Sequence, residues 1–521
     1  MILLLFPPTR VYTGDPTMPA IVPPLGLAYL AGYLEAHGHT DVIILDARLA
    51  DDTQPSPDGK YMLYGMDDDQ VTRAIKALQP SIVGISCMWT AYAADAHRMA
   101  KLAKDVNKDM PVVFGGAHAS QFTELVLKDP HVDIVVRGEG ENTFCALVEA
   151  FKKGRPELKN IPGISWRDNG RITANPTQEY VRDLDSIPFP ARHLLNMDRY
   201  LKETLHNPFS MRRPSSTLIS SRGCPQDCVY CTIHSVWGRG WRARSAVNVV
   251  DEVEHLMSKY GIREFYFMDD SMTLSRGRII EICRQIKDRK LDIRWTMPNG
   301  AAHWTLNKET ISLMKESGCY RITFGIESGN PEVRKFIGKN FDLGQAKELI
   351  QYANRIGMWT ICTFIIGFPY ETKEQIMDTI NFAVQSDTDQ AVFYLLCPHP
   401  GTGVYEVFKK EGLLNFDNIL GREASLDYAE LSSLGHVLAG KGIRTMNFSA
   451  QELNQYLSLA YRKFFLARFF NTSIIKRLLR KIRSREDALY CLNLARVFMS
   501  SLFAFLRNKG FSSHSFRKRK K

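Results

Sequence analysis

Three cysteines stand close together at one point of the sequence. Cys224, Cys228 and Cys231 lie within eight positions, on a stretch marked by Gly223 and Pro225 that follows an apolar run. Thiolates at such a spacing can bind a metal. A four-iron cluster needs one thiolate per iron, so three cysteines would leave one iron free to bind a substrate or cofactor. The spacing therefore predicts a reactive metal centre.

A zinc site is the alternative interpretation of the same loop. His234 follows Cys231 with two residues between them, and three cysteines with one histidine form an ordinary zinc ligand set. Structural zinc sites, however, more often take their ligands from two separated pairs. The pattern therefore favours an iron–sulfur cluster over zinc.

The remaining cysteines and the N-terminus indicate a cytoplasmic protein. The other seven cysteines are scattered singly in apolar or helical contexts, where cysteine usually acts as a small buried hydrophobe in a reducing compartment. The apolar opening residues lack a positively charged leader and stop at Pro7, which favours a β-strand over a signal peptide. No apolar run approaches about 18 residues, so no membrane-spanning helix is expected.

The basic residues are concentrated at the C-terminal end. The 521-residue chain has a formal net charge of +11, and residues 462–521 hold 17 Lys or Arg against Glu486 and Asp487. Two apolar segments, Phe464–Phe470 and Val497–Leu506, lie among these bases. Such helices can bind an anionic membrane surface, here the inner membrane face, but a helical cap with a solvated basic tail explains the composition equally well. Nucleic-acid binding is the weaker alternative, because no RNA-binding domain is recognisable.

Residues 1–153 alternate short apolar runs with helical patterns five times. This alternation predicts a doubly wound, Rossmann-like α/β domain in which helices cover both faces of a parallel sheet. Such folds bind ligands at the C-terminal ends of their strands, where glycine lets the backbone approach a ligand closely. The candidate ligand-binding residues at these ends are Leu25, Gly26, Ser86, Gly115, Gly116, His118, Gly138, Glu139 and Gly140.

The rest of the chain is predicted to form a linker, a partial barrel and a helical region. Residues 154–212 contain scattered prolines, which indicates a linker. Residues 213–404 contain six strand–helix units, too few for a full eight-stranded barrel, and residues 405–521 are helical in pattern. Active groups of barrels gather at strand C-termini. The polar and glycine-rich residues there are Asp269, Asp270, Asn299, Gly325, Glu327, Ser328, Gly367 and Pro369, and the role of Asn299 is left open.

The spacing Cys-x3-Cys-x2-Cys, with Tyr230 before its last cysteine, resembles the radical S-adenosylmethionine (SAM) superfamily, whose core is a six-unit partial barrel. The resemblance implies a [4Fe-4S] cluster on Cys224, Cys228 and Cys231. It also implies that the free iron binds the amino and carboxylate groups of SAM, and that an electron from the cluster cleaves SAM to a 5′-deoxyadenosyl radical.

The same resemblance implies roles for the strand ends. Asp269 and Asp270 are expected near the SAM amino group. The segment with Gly325, Glu327 and Ser328 is expected to contact the ribose. The segment with Gly367 and Pro369 is expected to lie against the adenine.

Together with the cluster loop, the N-terminal region resembles the cobalamin-binding domain of cobalamin-dependent radical SAM enzymes. The motif Asp-x-His-x-x-Gly of free-standing cobalamin proteins is incomplete here, because Asp95 and His97 are not followed by the glycine. His97 is therefore expected to be a surface residue of its helix. The resemblance implies that residues 86–90 lie beneath the cobalt, and His118 is a candidate for contacting the cofactor tail.

The activity favoured by this resemblance is methylation of an unactivated carbon through a 5′-deoxyadenosyl radical and methylcobalamin. The expected partners are a small, hydrophobic substrate and an external electron donor of the flavodoxin or ferredoxin type. One alternative is a radical oxidative cyclase or ring-rearranging enzyme, as in anaerobic ring closure on a magnesium porphyrin ester. A more remote alternative is a cobalamin or redox sensor without enzymatic activity.

Overall fold

The computed structural model describes residues 1–12, 21–50, 53–55, 59, 61–154, 157–202, 210–414, 443–469 and 473–496. The predicted apolar segment Val497–Leu506, Phe470 and the basic residues after position 496 lie outside the described residues. Within the described part, an N-terminal α/β unit is followed by a second parallel sheet and a helical C-terminal region. The predicted fold class is confirmed.

The N-terminal unit alternates strands and helices as predicted. Its strands are β1 (Ile2–Phe6), β2 (Thr9–Tyr12), β3 (Val42–Asp46), β4 (Thr53–Pro55), β5 (Tyr61–Tyr64), β6 (Ile82–Ser86), β7 (Val112–Gly115), β8 (Ile134–Val136), β9 (Ile164–Asp168) and β10 (Arg171–Ala174). Its helices are α1 (Leu25–Ala36), α2 (Asp68–Leu78), α3 (Ala93–Val106), α4 (Ala117–Gln121), α5 (Thr123–Val126), α6 (Glu141–Lys152) and α7 (Met197–Lys202).

Among the described residues, the main N-terminal sheet has the strand order β10-β9-β8-β7-β6-β1-β3. Five neighbouring strands of this sheet are parallel, namely β8, β7, β6, β1 and β3. β1 is fully apolar because helices cover both faces of the sheet. Its side chains alternate between two cores: Ile2 and Leu4 join one, and Leu3 and Leu5 join the other.

The segment predicted as a linker contributes to this sheet. β9 pairs antiparallel with β8, and β10 pairs antiparallel with β9. The turn between them is Asn169-Gly170, and both residues have positive φ, 49° and 81°. This is the geometry that Asn-Gly favours in a two-residue hairpin. The first sheet therefore extends past the predicted boundary at residue 153.

His97 was expected on the surface of its helix, and this expectation is wrong. The residue is 6% exposed, and its Nδ1 lies 2.6 Å from Oδ2 of Asp129. Its ring also packs 5.1 Å from that of Phe114. The buried Asp129 carboxylate supplies the partner that makes a histidine acceptable inside the domain.

The second sheet carries six parallel strands among the described residues, in the order β11-β14-β15-β16-β17-β18. These are β11 (Ser215–Leu218), β14 (Glu264–Phe267), β15 (Arg294–Ala301), β16 (Cys319–Glu327), β17 (Trp359–Ile366) and β18 (Gln390–Leu395). The short strands β12 (Ser221–Arg222) and β13 (Arg242–Ala243) pair beside it. The helices are α8 (His234–Trp237), α9 (Ala246–Tyr260), α10 (Arg276–Asp288), α11 (Lys308–Glu316), α12 (Pro331–Ile337), α13 (Leu343–Arg355), α14 (Lys373–Gln385) and α15 (Gly403–Lys410).

The C-terminal region is helical, with α16 (Ala450–Phe469), α17 (Ser473–Lys481) and a further helix over residues 485–496. α16 packs against α14 and β18, and α17 packs against α13. In the described part of the chain, each helix is too short or too polar to cross a bilayer.

Candidate active site

The cysteine loop is fixed by backbone contacts from helices on either side. The Val229 N–H donates to the Ile337 carbonyl (3.0 Å), and the Val404 N–H donates to the Val229 carbonyl (2.8 Å). Gly338 ends α12 with φ +84°, and a Cβ at this position would lie 2.6 Å from the Asp227 carbonyl oxygen. Glycine is therefore required at Gly338 both for its conformation and for this close approach.

The geometry of the loop argues against the zinc alternative. Among the described residues, the only three His, Cys, Asp or Glu donor atoms that lie within 4.8 Å of one another belong to His39, Cys145 and Glu149. At least one pair of the three loop sulfurs is therefore more than 4.8 Å apart, whereas Zn–S bonds of about 2.3 Å bring sulfurs to about 3.8 Å. His234 Nε2 also lies 2.9 Å from the carbonyl oxygen of Cys224. Three spaced thiols match the donor set of a [4Fe-4S] cluster with one open iron.

The electrostatics of the loop require a cation. Burial raises the pKa of all three thiols, that of Cys228 to about 11. Cluster ligands are thiolates, so binding must release these protons. The Lys339 ammonium opposes the effect of burial and lowers the pKa of Cys228. Lys339 therefore places a positive charge beside thiols that must become negative.

Lys339 is held in a buried group with two predicted site residues. Its Nζ donates to Glu327 Oε1 at 2.6 Å, and the Glu327 carboxylate is near enough to Tyr230 to add to the rise in the pKa of Tyr230 that burial causes. Glu327 has φ +61°, a conformation uncommon for a residue with a side chain. Gly325 lies against this pair, since a Cβ there would be 2.9 Å from Glu327 Oε1. The structure thus brings Tyr230, Gly325 and Glu327 together beside the cluster loop.

The two aspartates at the end of β14 have different environments. Asp269 is buried, and it accepts the Ser220 N–H (2.8 Å) and the hydroxyls of Ser220 and Ser221 (2.6 Å each). It therefore fixes the strand that leads into the cluster loop. The Asp270 carboxylate is near enough to raise the pKa of Cys224 and Cys231 beyond the effect of burial. Of the two, Asp270 is the one placed to meet an ammonium group bound at the cluster.

Two further predicted residues join neighbouring elements of the barrel through hydrogen bonds, Ser328 from a buried position and Asn299 from an exposed one. The Ser328 hydroxyl is buried and lies 3.0 Å from Thr379 Oγ1 on α14, so it joins two elements of the barrel instead of facing a ribose. Asn299 Nδ2 donates to the Met268 carbonyl (3.0 Å) and ties the ends of β15 and β14 together.

The turn after β17 is organised by Glu371. Glu371 Oε2 accepts the N–H groups of Gly367 (2.7 Å) and Phe368 (3.2 Å), while its Oε1 is buried without a described partner. Gly367 has φ +99°, and Pro369 is buried with its carbonyl accepting the Met446 N–H. The predicted adenine segment is therefore a rigid turn built around one buried carboxyl group.

This carboxyl group predicts a pH dependence of stability. Burial raises the pKa of Glu371 from 4.5 to about 7. Between these values the folded protein binds more protons than the unfolded chain, so the free energy of unfolding falls as the pH rises, by about 3 kcal/mol in total. Glu371→Gln keeps an acceptor but cannot ionise. Burial also raises the pKa of Asp95 and Asp270 to about 7, so denaturant unfolding of this variant at about pH 5 and about pH 8 should show a smaller decrease than wild type does. A decrease equal to that of wild type would exclude Glu371 as a source.

The C-terminal ends of the parallel strands in the first sheet form an edge with features that fit a large, flat cofactor. A Cβ added at Gly26 or Gly115 would meet no atom within 4 Å. Met88 and Trp89 are 41% and 46% exposed just beyond β6, next to a small cavity that Ser86 also lines. Open backbone and an exposed apolar platform at strand C-termini suit such a ligand.

His118 lies beneath this edge. Its Nδ1 is 3.0 Å from Thr90 Oγ1, and its Nε2 is buried without a described partner. The neighbouring Gly116 has φ +107°, and a Cβ there would be 2.9 Å from the Cys87 carbonyl oxygen. Leu25, by contrast, packs into a core with Leu184 and Ile187.

The residues predicted at the end of β8 lie at the interface between the two sheets. Glu139 Oε1 accepts from Arg222 (3.1 Å) and Arg242 (2.7 Å), and Glu141 Oε1 accepts from Arg222 (2.6 Å). Arg222 stands two residues before Cys224. A cofactor-binding role was predicted for Glu139, but its carboxylate instead joins the N-terminal unit to the strand that carries the cluster loop.

The flanking glycines are both closely packed, Gly138 at this interface and Gly140 against a helix of the N-terminal unit. A Cβ at Gly138 would lie 3.3 Å from the Val236 carbonyl oxygen, and a Cβ at Gly140 would lie 3.1 Å from Leu30. Both therefore serve packing. Lys339, Arg222 and Arg242 carry no local sequence signal, because each acts through a carboxylate that lies 12, 83 and 103 positions away, respectively.

Comparison with known proteins identifies both units. The model of the B12 binding domain matches residues 17–148, and that of the radical SAM superfamily matches residues 218–383. "Uncharacterized methyltransferase PH0819" of Pyrococcus horikoshii is 36% identical, over 89% of this chain and 92% of that protein. Cytidylyl-2-hydroxyethylphosphonate methyltransferase of Streptomyces wedmorensis is 33% identical, over 81% and 84%.

A third relative has a different activity. Anaerobic magnesium-protoporphyrin IX monomethyl ester cyclase of Rubrivivax gelatinosus is 30% identical, over 82% of this chain and 75% of that protein. Among solved structures, the radical SAM methyltransferase TsrM of Kitasatospora setae with cobalamin and a [4Fe-4S] cluster superposes with a TM-score of 0.62, at 19% identity over 81% of this chain and 79% of that one. The predicted family and cofactors are confirmed: this chain belongs to the cobalamin-dependent radical SAM enzymes, whose cofactors are a [4Fe-4S] cluster, SAM and cobalamin.

Proposed function

We propose that this enzyme methylates an unactivated carbon of a small molecule. The observation that carries the proposal is the meeting of the two cofactor regions at one interface. α4, which begins beside Gly116, packs against α8, which follows the cysteine loop. Gln121 of α4 also donates to the Pro400 carbonyl beyond β18. The C-terminal strand ends of the first sheet and the cluster loop therefore border the same interface, as transfer between two cofactors requires.

The residues of this chain would have distinct roles in binding the cofactors. Cys224, Cys228 and Cys231 would hold the cluster, and Lys339 would balance their charge. Asp270 would receive the amino group of SAM. When bound, the cluster with SAM supplies one-electron chemistry, and cobalamin supplies a transferable methyl group. The protein's contribution is to orient these groups and to exclude competing reactions.

The platform beyond β6 is the part that we assign to cobalamin. The Trp89 ring lies 6.1 Å from that of Phe6 and 6.1 Å from that of Tyr92, which supports it against the sheet. We expect Trp89→Ala to weaken cobalamin binding by about tenfold, because an aromatic contact of this size is lost. Absorbance titration with hydroxocobalamin measures the effect. Trp304→Ala, at a tryptophan of the barrel, is the control and should bind cobalamin normally.

The relatives named methyltransferases support methylation over the other outcomes. A radical oxidative cyclase is the second candidate, because a cyclase is 30% identical over most of both chains. Anaerobic reaction with SAM, cobalamin and a strong reductant distinguishes them. Methylation produces S-adenosylhomocysteine together with 5′-deoxyadenosine in the presence of substrate. Formation of 5′-deoxyadenosine with substrate consumption but without S-adenosylhomocysteine would refute methylation and favour cyclisation.

The partners beyond a small-molecule substrate also belong to this proposal. We expect an external one-electron donor of the flavodoxin or ferredoxin type, because the described residues include no further paired-cysteine set that could hold a second cluster. A hydrophobic substrate is likewise proposed. Comparison of metabolites between wild-type and deletion strains would identify the molecule that carries the added carbon.

A further inference from the structure

The last two helices have buried polar anchors. Lys481 of α17 is 2% exposed, and its Nζ donates to Asn354 Oδ1 (2.7 Å) and to the Met358 carbonyl (2.7 Å). Arg477, one turn earlier, donates to the Asp387 carbonyl (2.7 Å). The inner face of this helix is therefore cationic, whereas the inner face of a surface helix is ordinarily apolar.

The outer face of α17 is apolar instead. Leu478, Leu479 and Ile482 are 37%, 66% and 39% exposed. Residues three and four apart share one side of a helix, so Ile482 extends the surface formed by the two leucines. Among the side chains described in this helix, those of Arg477 and Lys481 are directed inward, and those exposed to solvent are the two leucines and Arg480.

The helix over residues 485–496 also exposes aliphatic side chains, although its buried anchor is aromatic. Tyr490 is 1% exposed and packs its ring 5.6 Å from Tyr320 and 5.3 Å from Trp359. Leu489 and Leu492 are 52% and 57% exposed. We call α17 and residues 485–496 the basal cap.

The outer rim of the basal cap is basic. Arg480, Arg483, Arg485 and Arg496 are all exposed. Of the two acidic residues of this region, Glu486 binds Arg212 outside it at 2.8 Å. Asp487 stays within the region, where its carboxylate accepts from the Ser484 hydroxyl and the backbone N–H of Arg483. The four exposed arginines outnumber Asp487, so net positive charge borders the aliphatic side chains in solvent. Such a surface calls for a partner that is both apolar and anionic.

We propose that the basal cap binds the surface of an anionic phospholipid membrane. Leucine and isoleucine can enter the acyl boundary while arginines meet the headgroups. Nucleic acid fits less well, because unstructured strands are bound by stacking on aromatic side chains, and the exposed side chains here are aliphatic. A second copy of the chain would bring two arginine-rich rims together. The proposal does not depend on which reaction the enzyme performs.

The position of the cap fixes the orientation of the bound enzyme. The cap contacts the first residues of strands β16 and β17, at Tyr320 and Trp359. The cluster loop lies at the opposite, C-terminal ends of the parallel strands. A membrane bound by the cap would therefore contact the end of the barrel where the parallel strands begin, and the cluster loop would face solvent. Substrate would then not pass directly from the membrane to the cluster.

Sedimentation of the full chain with vesicles tests the proposal. Wild type should sediment with vesicles of phosphatidylcholine plus phosphatidylglycerol, weakly with phosphatidylcholine alone, and less as salt rises. Leu479→Ser/Leu492→Ser should lower binding by about tenfold or more, and Arg480→Ser/Arg485→Ser should lower it only for the anionic vesicles. Ile172→Ser and Arg171→Ser, at exposed positions of β10, are the matched controls and should bind as wild type does.

Deletion of residues after about 460 is a poor test, because it would also remove the buried Lys481 and Tyr490. Equal binding by wild type and both double variants would overturn the proposal. Loss of binding only when the basic residues 517–521 are replaced by serine would also overturn it, since the tail would then be the membrane contact. Self-association of wild type that Leu479→Ser/Leu492→Ser abolishes, without vesicle binding, would identify a second copy as the occupant instead.

Discussion

Cys228→Ala should reduce 5′-deoxyadenosine formation to background. Three thiols are the whole protein donor set that we assign to the cluster, and removal of one leaves two irons without a protein ligand. Anaerobically purified wild type should be brown and contain about four iron and four sulfide per chain. The variant should lose most of both. Iron and sulfide analysis, the visible spectrum and chromatography of the nucleoside products measure these outcomes.

A matched control separates ligand loss from damage to the fold. Cys397 is also partly buried, but it lies after β18 and outside the loop. Cys397→Ala should keep the brown colour and the cleavage of SAM. If Cys228→Ala retained the iron content and cleavage rate of this control, the assignment of the cluster ligands would be wrong.

Arg222→Met should destabilise the folded protein by about 3–5 kcal/mol, because it leaves a buried charge without its partner. Arg222 and Glu141 are 5% and 6% exposed in their side chains. Burial alone would raise the pKa of Glu141, and the guanidinium of Arg222 holds it below its ordinary value. Methionine preserves the apolar stem of arginine and removes only its charge and hydrogen bonds.

The double variant Arg222→Met/Glu141→Gln tests whether the loss comes from the unpaired carboxylate. It should recover most of the stability, since Glu139 keeps Arg242 and no buried charge is left alone. Lys287→Met, at an exposed pair with Glu316, is the control and should cost at most about 1 kcal/mol. Denaturant titration measures the free energy of unfolding of Arg222→Met, of the double variant and of the control. If the double variant were no more stable than Arg222→Met, the charge pair would not be the cause.

The sequence predicts the strands of this fold well where they are buried on both sides. The mainly apolar runs Ile2–Phe6, Ile82–Ser86 and Trp359–Ile366 of the sequence coincide with β1, β6 and β17. Continuous apolar runs bounded by turn residues leave little freedom in such cases. The hairpin of β9 and β10 was missed, although Asn169-Gly170 between two short strands is a specific turn signal.

The candidate site was predicted less completely. Cys224, Cys228 and Cys231 could be identified because their spacing is local. Polar residues at strand ends could not be sorted in the same way, since Glu139 and Ser328 look like ligand-binding residues until their partners are known. Those partners are Arg222 and Thr379, which lie 83 and 51 positions away. Only the folded structure separates a group that faces a cofactor from one that joins two elements.

The pairing of β9 with β8 limits how this enzyme can be divided. A fragment ending at residue 153 would leave β8 as an open edge, with backbone N–H and carbonyl groups ready to pair with another molecule. Such a fragment would tend to aggregate, whatever its affinity for the cofactor. Transplanting the N-terminal module onto another enzyme, or swapping it among relatives, therefore requires a junction beyond Ala174, so that the hairpin stays paired with β8.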